Sequence, residues 1–234
     1  MTNDERRVAV ATRVRALGHE LVAHTLTNDE LDELASSLDA LTVLVRHGRE
    51  RVRVRPHVGA TTSANVVADM STDRPLVADS FVAGHANPLG LGASLHRDGD
   101  AAVMTVTLGA AFEGAPGRAH GGVVAALVDE TMGLALAMSG VLAFTVQLDI
   151  SFRAPTPVGR PISARAWLAR REGRKLFVEA SVHAGDELIV ATARAVFLAV
   201  PTETFLETTA TSAEPGASIE TTPGVVPAPH CEVP

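Results

Sequence analysis

Hydrophobic and polar residues alternate strictly over residues 144–152. The apolar positions are Phe144, Val146, Leu148, Ile150 and Phe152, and the polar ones are Thr145, Gln147, Asp149 and Ser151. This period of two predicts a β-strand with one buried face. Three more strands are predicted at residues 162–169, 175–184 and 188–200, and two strand-like runs lie between residues 81 and 108. Short turns join the later strands and indicate antiparallel neighbours.

The segment 121–144 is apolar apart from Asp129 and Glu130. It is long enough to cross a bilayer, but each carboxylate near the membrane midplane would cost about 3 kcal/mol. A buried helix of a globular domain is therefore the preferred interpretation. Because one long helix is accompanied by many antiparallel strands, we expect the sheet to curl around it in an α+β fold.

Residues 1–47 are predicted to form a helical hairpin outside the main domain. Each helix has an apolar stripe at steps of three and four residues. The stripe residues are Val10, Val14, Leu17 and Leu21 in the first helix, and Leu31, Leu34, Leu38, Leu41 and Val45 in the second. Thr27 and Glu30 form a capping-box pattern at the start of the second helix. We expect these stripes to dock on the main domain or on a second subunit.

The other segments are distinguished by composition. Residues 48–79 are rich in Arg, Thr and Asp and are predicted to connect the hairpin to a main domain at residues 80–200. Residues 201–234 contain mostly Thr, Pro, Glu and Ala with few apolar side chains. Burial there cannot offset the entropy of ordering, so this tail is predicted to be disordered.

Charge and composition narrow the classes of function. A net charge of −7 argues against a broad basic surface for nucleic acid, and 3% aromatic residues argue against stacking platforms for bases. The single cysteine, Cys231, can build neither a disulfide framework nor a cysteine zinc site, and no metal is expected. The opening MTNDERRVAV lacks the apolar core of a secretory signal, so a cytoplasmic protein with no membrane partner is expected.

Candidate chemistry is concentrated at the start of the apolar helix. Backbone N–H groups at Gly121 and Gly122 can stabilise an oxyanion by about 3–4 kcal/mol per donor. Asp129 can either activate water or attack a carbonyl compound directly. His120 has a structural alternative, as a helix-entry residue whose ring bonds the backbone. Glu130 lies about 100° further around the helix, where a solvated or interface role is expected.

The segment GRAHGG at residues 117–122, followed by Asp129 and flanked by NPLG at 87–90 and FRAP at 152–155, resembles the hotdog-fold acyl-CoA thioesterases. The phenylacetate-pathway branch is the most similar, and the resemblance covers about residues 80–200. It implies a hotdog fold, in which an antiparallel sheet wraps one long helix, with paired subunits and active sites at the dimer interface.

The resemblance also implies roles for individual residues. By position, Gly121 supplies a backbone N–H to the thioester oxygen, and Asp129 is the general base or nucleophile. Thr145 falls where a hydroxyl orients the water or the acid, although Thr is common in any strand. Many relatives have Asn or Gln where this chain has Gly114. A polar contact to substrate or water is therefore expected to be missing or supplied elsewhere.

The resulting prediction is a homodimeric or dimer-of-dimers thioesterase that hydrolyses an acyl-CoA, with coenzyme A as part of the substrate and no separate cofactor. The predicted catalytic residues are His120, Gly121, Asp129 and Thr145, and the predicted substrate-binding residues are Asn87, Gly122, Arg170, Arg171, Arg174 and Lys175. The last four are either a site for coenzyme A phosphates or a solvated turn. The alternative function is a non-catalytic acyl-CoA-binding or sensing protein. Hotdog hydratase chemistry is disfavoured because no His follows Asp129 by four or five residues.

Overall fold

The computed structural model of the chain describes residues 1–49, 78–185 and 187–201. The helices in these ranges are α1 (Asn3–Ala23), α2 (Asn28–Arg46) and α3 (Gly121–Met138), with a 3-10 turn at Ala110–Phe112. The strands are β1 (Ser94–Asp98), β2 (Ala101–Thr107), β3 (Glu113–Ala115), β4 (Arg118–Ala119), β5 (Ala143–Phe152), β6 (Pro161–Glu172), β7 (Lys175–Ala184) and β8 (Leu188–Ala199). Most of the predicted connecting segment and nearly all of the predicted tail lie outside the described residues.

Six strands form one antiparallel sheet in the order β1-β2-β6-β7-β8-β5, and β3 pairs with β4 in a separate small hairpin. The four strands predicted after the helix are confirmed, and β5 lies at an edge of the sheet. The strand-like runs predicted from residue 81 are shorter than expected. Strand β1 begins only at Ser94, and residues 80–93 form turns instead.

Helix α3 packs against β2, β5, β6 and β7, so the sheet wraps it as predicted. Its length and composition would allow it to cross a membrane, but half of it is buried inside the domain. Side chains such as Leu127 and Leu136 are almost completely buried, and each contributes about 1.5–3 kcal/mol relative to exposure. The buried hydroxyl of Thr131 donates to the Leu127 carbonyl at 2.6 Å, so its polar group is satisfied.

Strand β5 contains a β-bulge that strict alternation does not predict. The register with β8 shifts between Thr145 and Gln147, which leaves Val146 as the extra residue. Thr145 pairs with Phe197, whose side chain is buried in the core. Directly paired residues point to the same face of a sheet, so Thr145 faces α3. Unbroken alternation would place Thr145 on the outer face with Gln147.

Helix α1 docks on the domain, but not by its predicted apolar stripe. The stripe residues Val10 and Val14 are 60% and 44% exposed. The docked face instead carries Arg7, Ala11, Arg15 and His19, spaced four residues apart, and Ala11 is buried. Docking on the domain therefore uses a different face from the predicted stripe, because polar groups of the loop at residues 79–87 need partners that an apolar stripe cannot supply. Docking of the stripe on a second subunit stays a prediction.

Two side chains of α1 make the main polar contacts with that loop. Arg7 forms an ion pair with Asp79 at 2.8 Å. Arg15 donates from Nη1 to the backbone carbonyls of His85, at 3.1 Å, and Asn87, at 2.5 Å. These bonds satisfy loop carbonyls that would otherwise need water.

His19 contacts the domain at the C-terminal end of the docked face. Its Nδ1 accepts a hydrogen bond from the Ala111 N–H at 3.1 Å, and its ring packs edge-on against Phe112 with 5.0 Å between ring centroids. Burial lowers the pKa of the His19 imidazole, and the positive charge of Arg15 lowers it further, while Glu20 opposes the shift. The neutral ring is therefore the form that suits docking.

Helix α2 has a capping box from Thr27 and Glu30, as predicted, but it is not packed against α1 as a hairpin. It makes no extensive contact with any other described element, and none of its residues is buried. Of its stripe, only Leu34 is half-buried.

Acidification should loosen the His19 end of α1. Because the folded-state pKa is lowered, the unfolded chain binds the proton first, so this stabilisation is complete above the ordinary pKa of 6.5 and is lost as the pH falls below it. Protonation of Nδ1 removes the acceptor for the Ala111 N–H. Loss of one hydrogen bond of about 1 kcal/mol should lower the hydrogen-exchange protection of the Ala111 amide about fivefold.

The matched control is His19→Asn, whose amide oxygen can accept the same bond but does not titrate. Its Ala111 protection should stay nearly constant between pH 7.5 and 5.5 after correction for intrinsic exchange. Equal pH dependence in the wild type and the variant would rule out His19 as the titrating contact.

Candidate active site

His120 caps the N-terminus of α3. Its backbone is extended (φ −63°, ψ 134°), and its Nδ1 accepts a hydrogen bond from the Gly122 N–H at 3.0 Å. The proton of the neutral ring is thereby assigned to Nε2. The structure thus gives His120 the helix-entry contact that was the alternative to proton transfer. The Gly122 N–H is already hydrogen-bonded to the His120 ring. Among the described residues, nothing accepts a hydrogen bond from the Gly121 N–H.

Asp129 lies on the side of α3 that meets the beginning of β5. The Thr145 hydroxyl donates to Asp129 Oδ1 at 2.8 Å, a contact made possible by the bulge at Val146. No described residue bonds the other carboxylate oxygen. The carboxylate is half-buried on an otherwise apolar helix, so it combines a fixed orientation with an oxygen free to act on a ligand.

The Gly121 N–H and the Asp129 carboxylate do not meet within one chain. Eight residues of α-helix separate them, which corresponds to about 12 Å along the axis. The Gly121 end of the helix lies beside Phe152 instead, since a Cβ added to Gly121 would lie 3.2 Å from Phe152 Cζ. The sequence predicts one site made of the turn, the helix terminus and the carboxylate. In the structure these groups lie at two locations, at opposite ends of β5.

A cleft of about 410 Å³ opens at the Gly121 end. Its lining includes Arg118, Gly121, Phe152 and Arg153. Arg118 forms no ion pair with any described residue, and Arg153 has only a 3.4 Å hydrogen bond from Nε to the Thr192 hydroxyl. Two guanidinium groups are thus available at the mouth of a cleft beside an unused N–H donor. Both arginines lie in motifs quoted above, GRAHGG and FRAP, but the sequence pattern assigns neither of them a role.

The neighbouring acid, Glu130, does not have the solvated role that was one of its two expected roles, because it is half-buried and bonded within the chain. Its carboxylate accepts hydrogen bonds from the Ser80 hydroxyl at 2.5 and 2.6 Å and from the Ala83 N–H at 3.0 Å. Asn87 holds the same loop from within, since its Nδ2 donates to the Asp79 and Ser80 carbonyls at 3.3 Å. Both residues therefore shape the loop over α3, and every polar contact of the Asn87 side chain is internal.

Comparison with known proteins identifies the part of the chain that carries these residues. Residues 116–191 match the Thioesterase superfamily. The matched segment is about a third of the chain. It includes the capped helix terminus, Asp129, Thr145 and the whole of β5.

Curated relatives of this domain include the acyl-coenzyme A thioesterase THEM4 of Mus musculus, which is 36% identical over 93 residues, and THEM5 of Homo sapiens, 35% identical over 96 residues. The aligned segments cover 39% and 41% of this chain, and 40% and 39% of those proteins. The chain therefore spans about two fifths of the length of these relatives.

The fold is also that of a solved structure, the crystal structure of a thioesterase superfamily protein. It is 23% identical, has a TM-score of 0.70, and covers 82% of this chain and 94% of its own. The likeness covers 82% of this chain, whereas residues 80–234 make up only about two thirds of it. The similarity in fold therefore extends into the N-terminal segment.

The departure at Gly114 has a steric explanation. A Cβ at this position would lie 2.8 Å from His120 Cα and 3.1 Å from His120 Cβ. Strand β3 approaches the helix cap so closely that no side chain can be placed there without movement of the backbone.

The four cations predicted to bind phosphates lie at the tip of the β6–β7 hairpin, away from the cleft. Arg170 stacks on Phe177, 3.6 Å from the ring centroid, and also pairs with Glu172. Arg171 and Arg174 donate to the carbonyls of Gly173 and Ala199 at 3.0 and 3.2 Å. These three arginines are thus bonded within the chain. The side-chain ammonium of Lys175 has no hydrogen-bond or ion-pair partner among the described residues. No group of metal-binding side chains occurs in the described ranges.

Removing the Glu130 carboxylate should destabilise the domain. Glu130→Ala leaves the Ser80 hydroxyl and the Ala83 N–H without their acceptor, which costs about 1–3 kcal/mol. For a chain of this size the corresponding fall in Tm is about 3–9 °C. Glu130→Gln is the matched control, because its amide oxygen can still accept from Ala83, and it should lose less than half as much. Thermal unfolding followed by circular dichroism measures both, and an unchanged Tm for Glu130→Ala would contradict this role.

Proposed function

We propose that this chain hydrolyses an acyl-CoA thioester to a carboxylic acid and coenzyme A. The observation that carries the proposal is the Asp129–Thr145 hydrogen bond, which holds one carboxylate oxygen and leaves the other available. The thioesterase-superfamily match and the acyl-coenzyme A thioesterase relatives support the same chemistry.

In the proposed reaction the thioester oxygen accepts a hydrogen bond from the Gly121 N–H, at the positive end of α3. As general base, Asp129 takes a proton from water while the water oxygen bonds to the carbonyl carbon. The carbon–sulfur bond then breaks, and the departing thiolate takes the proton from Asp129. As nucleophile, Asp129 would instead bond to the carbonyl carbon and expel the coenzyme A thiolate, which gives an acyl anhydride. Water then hydrolyses the anhydride, which releases the carboxylic acid, regenerates the Asp129 carboxylate and supplies a proton to the thiolate. Thr145 orients the carboxylate in either route.

The axial separation of about 12 Å between residues 121 and 129 supports a site shared by two subunits. A reacting carbonyl must lie within about 3–3.5 Å of the groups that act on it, so it cannot contact both Gly121 and Asp129 of one chain. Gly121 of one copy and Asp129 of another can meet if two copies are related by a two-fold axis. We therefore propose a homodimer, alone or within a dimer of dimers.

Strand β5 supplies the edge for this pairing. Among the described residues no strand pairs with its second edge, and Val146 and Phe152 are 61% and 55% exposed. Such an edge is normally covered in a native protein. Thr145 and Phe152 mark the two ends of the strand, so antiparallel pairing of β5 about a point near Leu148 brings Thr145 of one copy level with the Gly121 end of the other.

The cleft at the Gly121 end supports a place for the substrate's phosphates. Arg118 and Arg153 are better available to anions than the hairpin arginines, which are engaged by Phe177, Glu172 and backbone carbonyls. We propose that these two residues, rather than Arg170, Arg171 and Arg174, contact coenzyme A. A cytoplasmic location stays a prediction from the sequence.

Asp129→Asn should abolish most hydrolysis while leaving the fold intact. The substitution preserves side-chain volume, and loss of a general base or nucleophile costs about 100-fold or more in rate. Thr145→Val should reduce the rate less, and Thr145→Ser, which keeps the hydroxyl, should be nearly normal. Release of free thiol from a panel of acyl-CoAs measures turnover. Binding of acyl-CoA by the wild type with no thiol release would favour the non-catalytic alternative.

Mixing two inactive variants tests the shared site. Gly121→Pro removes the N–H donor at a helix position where proline is tolerated, and should lower the rate by about 100-fold or more. Gly121→Ala adds the same Cβ near Phe152 but keeps the donor, so it should retain most activity. A hybrid dimer pairs one Gly121→Pro chain with one Asp129→Asn chain. One of its two shared sites then combines an intact Gly121 N–H with an intact Asp129.

After random reassembly, about a quarter of the wild-type activity should return. Two chains that each contained a complete site would stay inactive when mixed, and that result would overturn the shared site without excluding hydrolysis.

A further inference from the structure

Helix α2 presents an apolar stripe that nothing in the described structure covers. The stripe consists of Leu31, Leu34, Leu38, Leu41 and Val45 and is called the α2 stripe below. Leu41 and Val45 are 56% and 76% exposed. The helix is well defined at its start by the Thr27 capping box, and it packs neither on α1 nor on the sheet. Contiguous exposed apolar surface of this kind marks an interaction site.

We propose that the α2 stripes of two copies of this chain pair in an antiparallel helix pair. The stripe residues recur at steps of three, four, three and four, which is the a/d spacing of a coiled coil. Such spacing keeps a narrow seam on one side of each helix, which fits a single partner helix better than a broad protein surface.

Charge selects the orientation of the pair. The first turns of α2 carry Asp29, Glu30, Asp32 and Glu33, and the basic residues Arg46 and Arg49 lie at and just beyond its end. A parallel pair would place the four acids of one helix beside the four acids of the other. An antiparallel pair places each acidic end beside a basic end and also opposes the helix dipoles.

Charge also selects the register. Two antiparallel registers bring a positions opposite d positions. One places Leu34 opposite Leu38 of the other copy, and it sets Glu33 level with Asp39. The other places Leu34 opposite Val45 and Leu38 opposite Leu41, and it sets Glu33 level with Arg46. The second register is the one proposed, because only it sets an acid level with a base; these side chains lie on the outer faces of the pair, so the attraction acts over a longer range than a contact at the seam.

The same charges argue against a membrane surface as the occupant. Helices that lie on membranes carry Lys and Arg on their polar face, which attract anionic lipids. The polar face of α2 carries Asp32, Glu33 and Asp39 instead. Residues 50–77 of the same chain are the remaining candidate for covering the stripe, and the experiment below separates them from a second copy.

The pair needs the whole chain to form. An isolated helix of 19 residues is marginally stable in water, and five stripe residues form a short seam. The experiment therefore uses the full-length protein, in a Cys231→Ser background that removes the native thiol.

Cysteine cross-linking tests the register directly. In the proposed pair, position 34 of one helix faces position 45 of the other, whereas positions 34 and 34 are about 16 Å apart, as are 45 and 45. Leu34→Cys combined with Val45→Cys should give covalent dimers in more than half of the chains after mild oxidation. Each single variant should give less than a tenth. An absence of dimers in the double variant overturns the proposal, and equal cross-linking of a single variant overturns the antiparallel register.

A second measurement separates the α2 stripe from general surface charge. Leu38→Glu, introduced into the Leu34→Cys and Val45→Cys chain, places a charge at the centre of the seam and should lower the yield of cross-linked dimer at least tenfold. Ser36→Glu adds the same charge on the opposite face of α2 and should leave this yield unchanged. Circular dichroism checks that both variants keep their helix content. An unchanged yield for Leu38→Glu would overturn the pairing of the α2 stripes. Thiol release from acyl-CoA is assayed in parallel, so failure of this pairing and failure of the proposed function give different results.

Discussion

The fixed rise of an α-helix is the constraint on which the arrangement of this protein depends. Helix α3 carries both groups to which the proposed function assigns chemistry, and its geometry keeps residues 121 and 129 about 12 Å apart along the axis. The sheet that wraps the helix makes this separation rigid, because burial of residues such as Leu127 prevents bending or sliding. Under the proposed function one chain would therefore supply two half-sites, which is the physical argument for a shared site across a two-fold axis.

Polar contacts, more than apolar ones, fix the segments around that core. Arg15 satisfies two loop carbonyls, and Glu130 satisfies a hydroxyl and an N–H from the same loop. Each bond is directional, so together they specify one position for the loop over α3. An apolar contact of similar strength would tolerate sliding. The docked face of α1 is polar because it also forms directional bonds with this loop. The predicted apolar stripe of α1 lies outside this docked face.

Sequence reasoning succeeded where one period governs a long segment. The alternation at residues 144–152 and the apolar run before it predicted β5, α3 and the curled sheet, because burial alone decides these features. It failed where single hydrogen bonds decide. The docked face of α1 depends on Arg15 and His19, and the position of Glu130 depends on Ser80, which lies 50 residues away in the chain. The resemblance to thioesterases singled out Thr145, although the alternation pattern would have turned it away from Asp129.

The bulge in β5 makes the length of this strand as important as its composition. With Val146 as the extra residue, Thr145 faces the helix; if Val146 were instead paired in a regular strand, Thr145 and every residue before it would turn to the opposite face. Most single substitutions in β5 leave that parity unchanged. Loss of the Val146 codon would remove the bulge and still leave Thr145 opposite Phe197, so the hydroxyl beside Asp129 would be kept. One residue added or lost between Gln147 and Phe152 would turn Thr145 outward if the bulge and the pairing of Phe152 stayed as they are. Changes of length on that side of the bulge, more than exchanges of residues, therefore separate chains that can retain this site from chains that share only the fold.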